Sequence, residues 1–264
     1  MKRYVILSAD NNPDYLYYLP LTCWAWRKFG WTPFVIAPQP NGDLVEYVLG
    51  KSCDLKHWAP LPSIDGLRSD TVAQVSRLYA AYWFLGSAYL MTGDADMIPL
   101  SDYWQPLDGD MTVWGWDLTS NQHIPICYIG MRARDWKKVM DMDDIMAWMN
   151  LIERDAKKFP VSHKDADPVA RWCYDQELIT TRMAHKNFRV INRGVYTNGY
   201  PIGRVDRSAW HLNHSSFIDA HLPRGMWRDQ AVLDQVTELL RKIWPDESFT
   251  WLNHYTNEFK SRLS

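Results

Sequence analysis

The apolar positions of this chain come in short runs that alternate with helical periodicity. Residues 4–9 (YVILSA) form an apolar, β-branched run closed by Asp10, Asn11, Asn12 and Pro13. A run of that length bounded by turn formers predicts a buried strand. From 14 to 27 apolar residues recur at helical spacing (Leu16, Leu19, Trp24, Trp26), and Gly30 ends the pattern. Residues 33–37 (PFVIA) predict a second strand, so the first 37 residues read β-α-β, a parallel pair joined by a right-handed crossover. The stretch 43–62 is mixed and rich in loop signals. Over 70–85 a strong helix is predicted, with Asp70 as its cap and Val72, Val75, Leu78, Tyr79 and Tyr82 on one face. Gly86 stops it, and 88–92 (AYLMT) predicts a third strand. Further strands are expected at 111–116, 124–131 and 188–192, and further helices at 133–158, 175–186 and 228–243. The segment 193–225, rich in Gly, Asn, Pro, Arg and His, is too long for a plain connection and reads as a functional loop. The pattern describes an α/β core with a smaller β-rich extension, in one domain over 1–264.

Composition narrows the class. A length of 264 residues is ample to bury a core. The net charge is −2, and no basic run interleaves with aromatics, so no nucleic-acid partner is expected. Four cysteines (Cys23, Cys53, Cys127, Cys173) without a paired spacing read as buried thiols of a reducing compartment. No stretch approaches the length of a transmembrane helix and the N-terminus lacks the form of a signal peptide, so a cytoplasmic location is expected, with peripheral membrane contact left open. Fifteen tryptophans and fourteen tyrosines are many for the length. Most should be core.

The candidate chemistry begins where the third predicted strand ends, in YLMTGDADMIPL over 89–100. In open α/β sheets ligands bind at the carboxyl ends of the strands, where both Asp10 and the pair Asp94 and Asp96 fall. If the chain is still extended there, Asp94 and Asp96 point the same way and Ala95 points back. Two carboxylates on one face form half of an oxygen cage for Mg²⁺ or Mn²⁺. A solvated polar turn is the plainer reading. It sits badly with the apolar strand before the pair and Met97-Ile98-Pro99-Leu100 after it, because a buried charge needs a partner.

This stretch resembles the metal motif of the GT-A-fold nucleotide-sugar glycosyltransferases. The helix-to-strand arrangement SRLYAAYWFLGSAYLMTGDADM is similar to that family's donor-site region. IPICYIGM, DQELIT and DAHLPR resemble the small glycosyltransferase domains encoded by large DNA viruses and, loosely, the glycogenin-type enzymes. The resemblance covers roughly 4–225. It implies a Rossmann-like mixed sheet flanked by helices, with a donor half over 1–105 and an acceptor half over 106–264. It further implies transfer of a sugar from a UDP- or GDP-type donor to a hydroxyl of a glycan or glycoconjugate, with Mn²⁺ or Mg²⁺ as cofactor. Asp96 would bind the metal and Asp94 the metal or ribose, with His221 as third ligand and His254 as its rival. Arg224 would supply a phosphate-binding cation nearby. Ser8, Ala9 and Asp10 would meet the nucleotide base, although Asp10 could equally serve as a turn or cap residue. Arg77, on an otherwise apolar helix face, needs an anion: the diphosphate or Asp94, with a structural salt bridge as the plainer reading. Asp175 is a candidate base or acceptor contact and otherwise an N-cap, with Asp117 as the alternative catalytic carboxylate. Acceptor contacts would fall on Trp116, Tyr128, Trp172 and Gln176, with Trp114 close by, because indole faces suit sugar C–H surfaces. The chain lacks both the Gln-x-x-Arg-Trp signature of processive inverting enzymes and the His-x-x-Gly-x-x-Lys ending of glycogenin types, so retention or inversion stays open.

Two other classes compete. A haloacid-dehalogenase-like phosphatase also ends a strand in Asp-x-Asp, but near its N-terminus and followed by Thr or Val. A non-catalytic carbohydrate-binding module would use the tryptophans but has no need of paired acids.

Overall fold

The computed structural model describes residues 1–38, 42–106, 111–115, 123–142, 148–156, 174–191, 203–207, 210 and 217–263. The elements in chain order are β1 (Arg3–Ser8), α1 (Pro13–Leu16), α2 (Leu19–Lys28), β2 (Thr32–Pro38), α3 (Asp43–Ser52), β3 (Trp58–Leu61), α4 (Ser69–Ser76), β4 (Tyr89–Thr92), β5 (Met97–Pro99), β6 (Thr112–Trp114), β7 (Ile129–Arg132), α5 (Ala133–Val139), α6 (Trp148–Ala156), α7 (Tyr174–Met183), β8 (Arg189–Ile191), β9 (Arg204–Val205), β10 (Asp219–His221), α8 (Gln230–Ile243) and α9 (Thr250–Leu263).

Seven strands form one mixed sheet in the order β3-β2-β1-β4-β7-β6-β8. The β3-β2-β1-β4 half is parallel, and β7 runs antiparallel to both β4 and β6. Chain order reverses between β1 and β4, which makes their carboxyl ends the switch-point crevice of an α/β sheet. A three-stranded sheet, β5-β10-β9, stands beside it and pairs His221 with Met97 across an antiparallel ladder.

The period of two along each strand sorts side chains into two cores. Val5, Leu7, Val35, Ala37, Tyr89 and Met91 face α2, α3, α8 and α9. Ile6, Phe34, Ile36 and Leu90 face α4, α5, α6 and α7. Gly93 continues β4 because nothing larger fits: a Cβ there would meet Val5 Cγ2 at 2.9 Å and Leu7 Cδ2 at 3.0 Å. The expected tryptophan cores exist. Trp24 packs edge-on to Trp244 and Phe249, and Trp104 stacks on Tyr128 with ring centroids 3.8 Å apart. Cys23, Cys53 and Cys127 are buried free thiols.

Several boundaries differ from the periodicity. The helix expected over 14–27 is broken after Leu16 and restarts at Leu19, where Pro20 sits in the first turn. The helix over 70–85 becomes a 3₁₀ helix at Arg77–Trp83, and it starts at Ser69, so Asp70 lies in its first turn rather than at the cap. The strand expected over 124–131 begins as a 3₁₀ turn, Ile126–Tyr128. The helix expected over 133–158 is two helices, ending at Val139 and resuming by Trp148. α3 and β3 occupy the stretch 43–62 that had no assigned element, β9 and β10 lie within the expected loop 193–225, and α9 follows the last expected helix. No helix among the described residues is long and apolar enough to cross a membrane.

Candidate functional site

A cleft of about 280 Å³ opens at the carboxyl ends of β1 and β4. Ser8, Ala9 and Asp10 form one wall, Gln74 and Arg77 of the α4 region another, and Arg207, His221 and Arg224 the side contributed by the second sheet. Asp94, Ala95 and Asp96 form its floor, and Asp175 and Gln176 at the start of α7 also line it.

The acidic stretch is not extended. Met97 N–H donates to Asp94 C=O at 3.2 Å, closing a turn that sends the two carboxylates in different directions. Each meets its own arginine. Asp94 pairs with Arg77, and Asp96 pairs with Arg207. The expectation that both acids share one face is therefore corrected: the i to i+3 turn removes the period-two alternation on which it rested. Thr22 Oγ1 on α2 donates to Ala95 C=O at 2.5 Å and Leu222 N–H donates to Asp96 C=O at 2.8 Å, so the turn is pinned from both sides.

Arg77 is a bracket. Only 6% exposed, it donates from Nη1 to Gly93 C=O at 2.9 Å and to Asp94, from Nη2 to Asp175 at 2.6 Å, and from Nε to Gln74 C=O at 3.3 Å. Four of the five N–H groups a guanidinium carries are thus engaged by protein. Of the anions expected for it, the structure supplies Asp94 and a second carboxylate, Asp175. Asp175 is 1% exposed and accepts Gln176 N–H at 2.9 Å through its other oxygen. Burial pushes its carboxyl above the usual range, against the pull of Arg77. Both Asp175 oxygens are committed, which suits holding Arg77 in place.

Asp96 and His221 come together across 125 residues of chain. Asp96 Oδ2 lies 3.3 Å from His221 Nε2. Arg207 donates from Nε into His221 Nε2 at 2.6 Å and from Nη2 to Asp96 Oδ2. A donor at 2.6 Å requires a lone pair on Nε2, so the 3.3 Å contact is two acceptors converging on one cation rather than an ion pair between them. Burial alone would raise the Asp96 carboxyl. The cationic seat at its Oδ2, with the Arg207 guanidinium in it, holds it below its usual range instead. The ladder between β10 and β5 sets this geometry, and the buried fork of Arg204 on Asp219 (3.1 and 2.7 Å), with Tyr128 Oη donating to Asp219 at 3.0 Å, anchors β10.

Other expected residues fall elsewhere. Asp10 accepts Asn12 N–H at 3.0 Å and Ser69 Oγ at 2.9 Å, while Asn12 is the residue that caps α1. Ala9 N–H is bound to Ile36 C=O at 3.2 Å. Tyr128 is fully buried against Trp104 and Trp114 is 1% exposed, so both belong to the core and not to the cleft, because their rings face the α2 side of the sheet. His254 lies on the exposed face of α9, paired with Glu258 at 3.4 Å, and does not line the cleft. Trp116, Asp117 and Trp172 lie outside the described residues. Sequence reasoning missed Arg207 and Tyr15, both of which line the cleft. The only signal for Arg207 was its place in the arginine-bearing stretch before His221, and Tyr15 looked like one more helical aromatic.

Among the described residues no group of three or more His, Cys, Asp or Glu side chains is gathered for a metal. Asp96 and His221 nevertheless fit one. Ligands of an octahedral ion at about 2.1 Å stand roughly 3 Å apart, close to their 3.3 Å separation, and the Arg207 guanidinium shows that their shared lone-pair direction accepts a cation.

No protein-family model matches the chain, and no curated protein sequence matches it significantly. Solved structures do match. An active-site mutant of LgtC superposes with a TM-score of 0.50 at 12% identity, over 89% of this chain and 94% of that one. The apo-form glycosyltransferase GlyE of Streptococcus pneumoniae superposes with a TM-score of 0.52 at 9% identity, over 99% of this chain and 64% of that one. This chain thus spans less than two thirds of GlyE. At such identities the likeness establishes architecture: the protein has the mixed sheet and flanking helices of the GT-A fold.

Proposed function

We propose that the protein is a metal-dependent glycosyltransferase that moves a sugar from a nucleoside-diphosphate sugar, UDP or GDP type, to a hydroxyl of a glycan or glycoconjugate. The observation that carries this reading is the convergence of Asp96 Oδ2 and His221 Nε2 on one cation seat in a GT-A switch-point cleft. LgtC is itself a galactosyltransferase crystallised with donor and acceptor sugar analogues, and GlyE is a glycosyltransferase.

Asp96 and His221 would hold Mn²⁺ or Mg²⁺, and Asp94, through the oxygen not engaged by Arg77, would reach the ion or the ribose. Such an ion, when bound, supplies positive charge to the diphosphate oxygens as the bond to the anomeric carbon breaks. In this reading Ser8 and Asp10 at the β1 edge would meet the nucleoside, Arg224 the phosphates and Gln176 a sugar hydroxyl, and all four line the cleft. Asp175, doubly engaged, keeps Arg77 and hence Asp94 in position and takes no proton in this scheme.

The test is incubation with a panel of UDP- and GDP-sugars and Mn²⁺, watching for nucleoside diphosphate release. Asp96→Ala should abolish metal-dependent nucleotide binding while leaving the far-ultraviolet circular dichroism unchanged. Release of inorganic phosphate from simple esters would instead indicate a phosphatase, and sugar binding without nucleotide binding a non-catalytic module. Either result refutes the proposal.

A further inference from the structure

Two arginines neutralise the two acids of the turn, and they are built differently. Arg77 is anchored by backbone carbonyls and a second carboxylate at 6% exposure. Arg207 stands two residues past the end of β9, its side chain 20% exposed on the cleft wall, and its guanidinium donates to Asp96 and His221. It occupies the very lone pairs that a divalent ion would need. A guanidinium and a divalent ion cannot both take them: the acceptors are used once, and two like charges at contact repel. Asp96, only 5% exposed, needs a cation beside it in either state.

We propose that Arg207 is a displaceable internal cation. It holds the Asp96–His221 seat while the cleft is empty and leaves it when the metal arrives, to bind the donor's diphosphate beside Arg224. This rests on the reading of the site given above and adds a residue and an order of events to it. The geometry favours the exchange. Arg207 and Arg224 both line the cleft on the side contributed by the second sheet. A guanidinium released from Asp96 therefore moves along a wall already positive, where an anion with several oxygens is the fitting partner. Metal alone must evict Arg207 without compensation, whereas metal together with diphosphate offers it a new anion. Ion and nucleotide should accordingly bind with strong positive coupling, and coupling of this kind is reciprocal.

The experiment measures Mn²⁺ binding to the full chain by calorimetry and by the paramagnetic resonance signal of free Mn²⁺, with and without UDP or GDP. In the wild type, Mn²⁺ alone should bind at least about ten-fold more weakly than Mn²⁺ with saturating nucleotide. Arg207→Met should bind Mn²⁺ alone about ten-fold tighter than wild type, bind the nucleotide more weakly, and lose most of the coupling. Arg207→Lys, which keeps the charge without the fork, should lie between the two and guards against a Met variant that fails to fold. A merely structural Arg207 would weaken metal binding on removal, never tighten it. If Arg207→Met and Arg207→Lys fold and bind Mn²⁺ no more tightly than wild type, while Asp96→Ala abolishes binding, the exchange is refuted and the metal site stands. If neither the wild type nor any variant binds Mn²⁺ with either nucleotide present, both the exchange and the metal-dependent reading fall.

Discussion

Replacing Arg77 by Met isolates the bracket from the chemistry. The substitution keeps length and apolar volume but leaves two carboxylates without their cation. Asp94 is exposed enough to turn toward water, whereas Asp175, at 1% exposure, is not. The cost therefore concentrates on Asp175, which must either stay charged in a dry site or take up a proton. Protonation sets the ceiling. Neutralising at pH 7 a carboxyl whose unfolded value is about 3.9, at about 1.4 kcal/mol per pH unit, costs about 4 kcal/mol. That lies within the roughly 3–5 kcal/mol typical of a broken buried pair. At about 3 °C per kcal/mol it corresponds to a fall of about 10 °C in Tm. The sign of the pH dependence follows from the same group. In the variant the folded Asp175 binds its proton more tightly than the unfolded chain does, so stability rises as pH falls, and the deficit should shrink to about 1.5 kcal/mol at pH 5. Asp175→Asn in the same background removes the charge and should restore most of the loss at pH 7 and abolish its pH dependence. Urea titrations followed by tryptophan emission at the two pH values read all of this. A deficit below about 1 kcal/mol at pH 7, a deficit independent of pH, or a double variant no more stable than Arg77→Met would refute the bracket.

Gly93→Ala should cost about 1–3 kcal/mol in the same titration, because its methyl would lie 2.9 Å from Val5 and 3.0 Å from Leu7; a change within about 0.5 kcal/mol would show that β1 and β4 can part without penalty. Arg204→Met, which leaves the fully buried Asp219 with Tyr128 but without its cation, should lose about 3–5 kcal/mol, and adding Asp219→Leu should recover most of it. If the double variant unfolds as readily as Arg204→Met, the anchor of β10 lies elsewhere. Burial pushes the phenols of Tyr17, Tyr18, Tyr79, Tyr174 and Tyr255 above their ordinary range. The stability they confer is present below about pH 10, the unfolded value, and is lost as pH rises beyond it. Phenolate absorbance should therefore rise in two phases, the second coinciding with loss of circular dichroism. A single smooth titration of all fourteen tyrosines with the fold intact would contradict their burial.

Three strands of the parallel half, β1, β2 and β4, were legible because they are buried: continuous apolar runs such as 4–9 and 33–37 can be little else. The carboxyl-end position of Asp10, Asp94 and Asp96 followed from that reading. What the sequence hid was set by pairing over long distances. β9 and β10 are two and three residues long and carry no periodicity of their own, and they exist because β5 offers an edge. Arg207 could not be found for the same reason: its partners lie 14 and 111 residues away. α9 buries Leu252, Tyr255 and Phe259 at helical spacing, but polar residues between them mask the stripe. The misreading of Asp94 and Asp96 was local, since nothing in Asp-Ala-Asp distinguishes an extended end from a tight turn. Trp114, sorted by strand parity, and Tyr128, at the end of the 3₁₀ turn, were expected near the acceptor but face the interior.

The small sheet has a bearing on how such a protein can diversify. Its ladder sets the histidine against the acidic turn by main-chain bonds, so apart from Tyr128, Arg204 and Asp219, which anchor β10, few of the 120-odd positions strung between them bear on that placement. Those intervening stretches can lengthen or be exchanged at an entropic penalty that grows only as the logarithm of their length. A designer would therefore do best to leave the three short strands untouched and recombine the stretches around them.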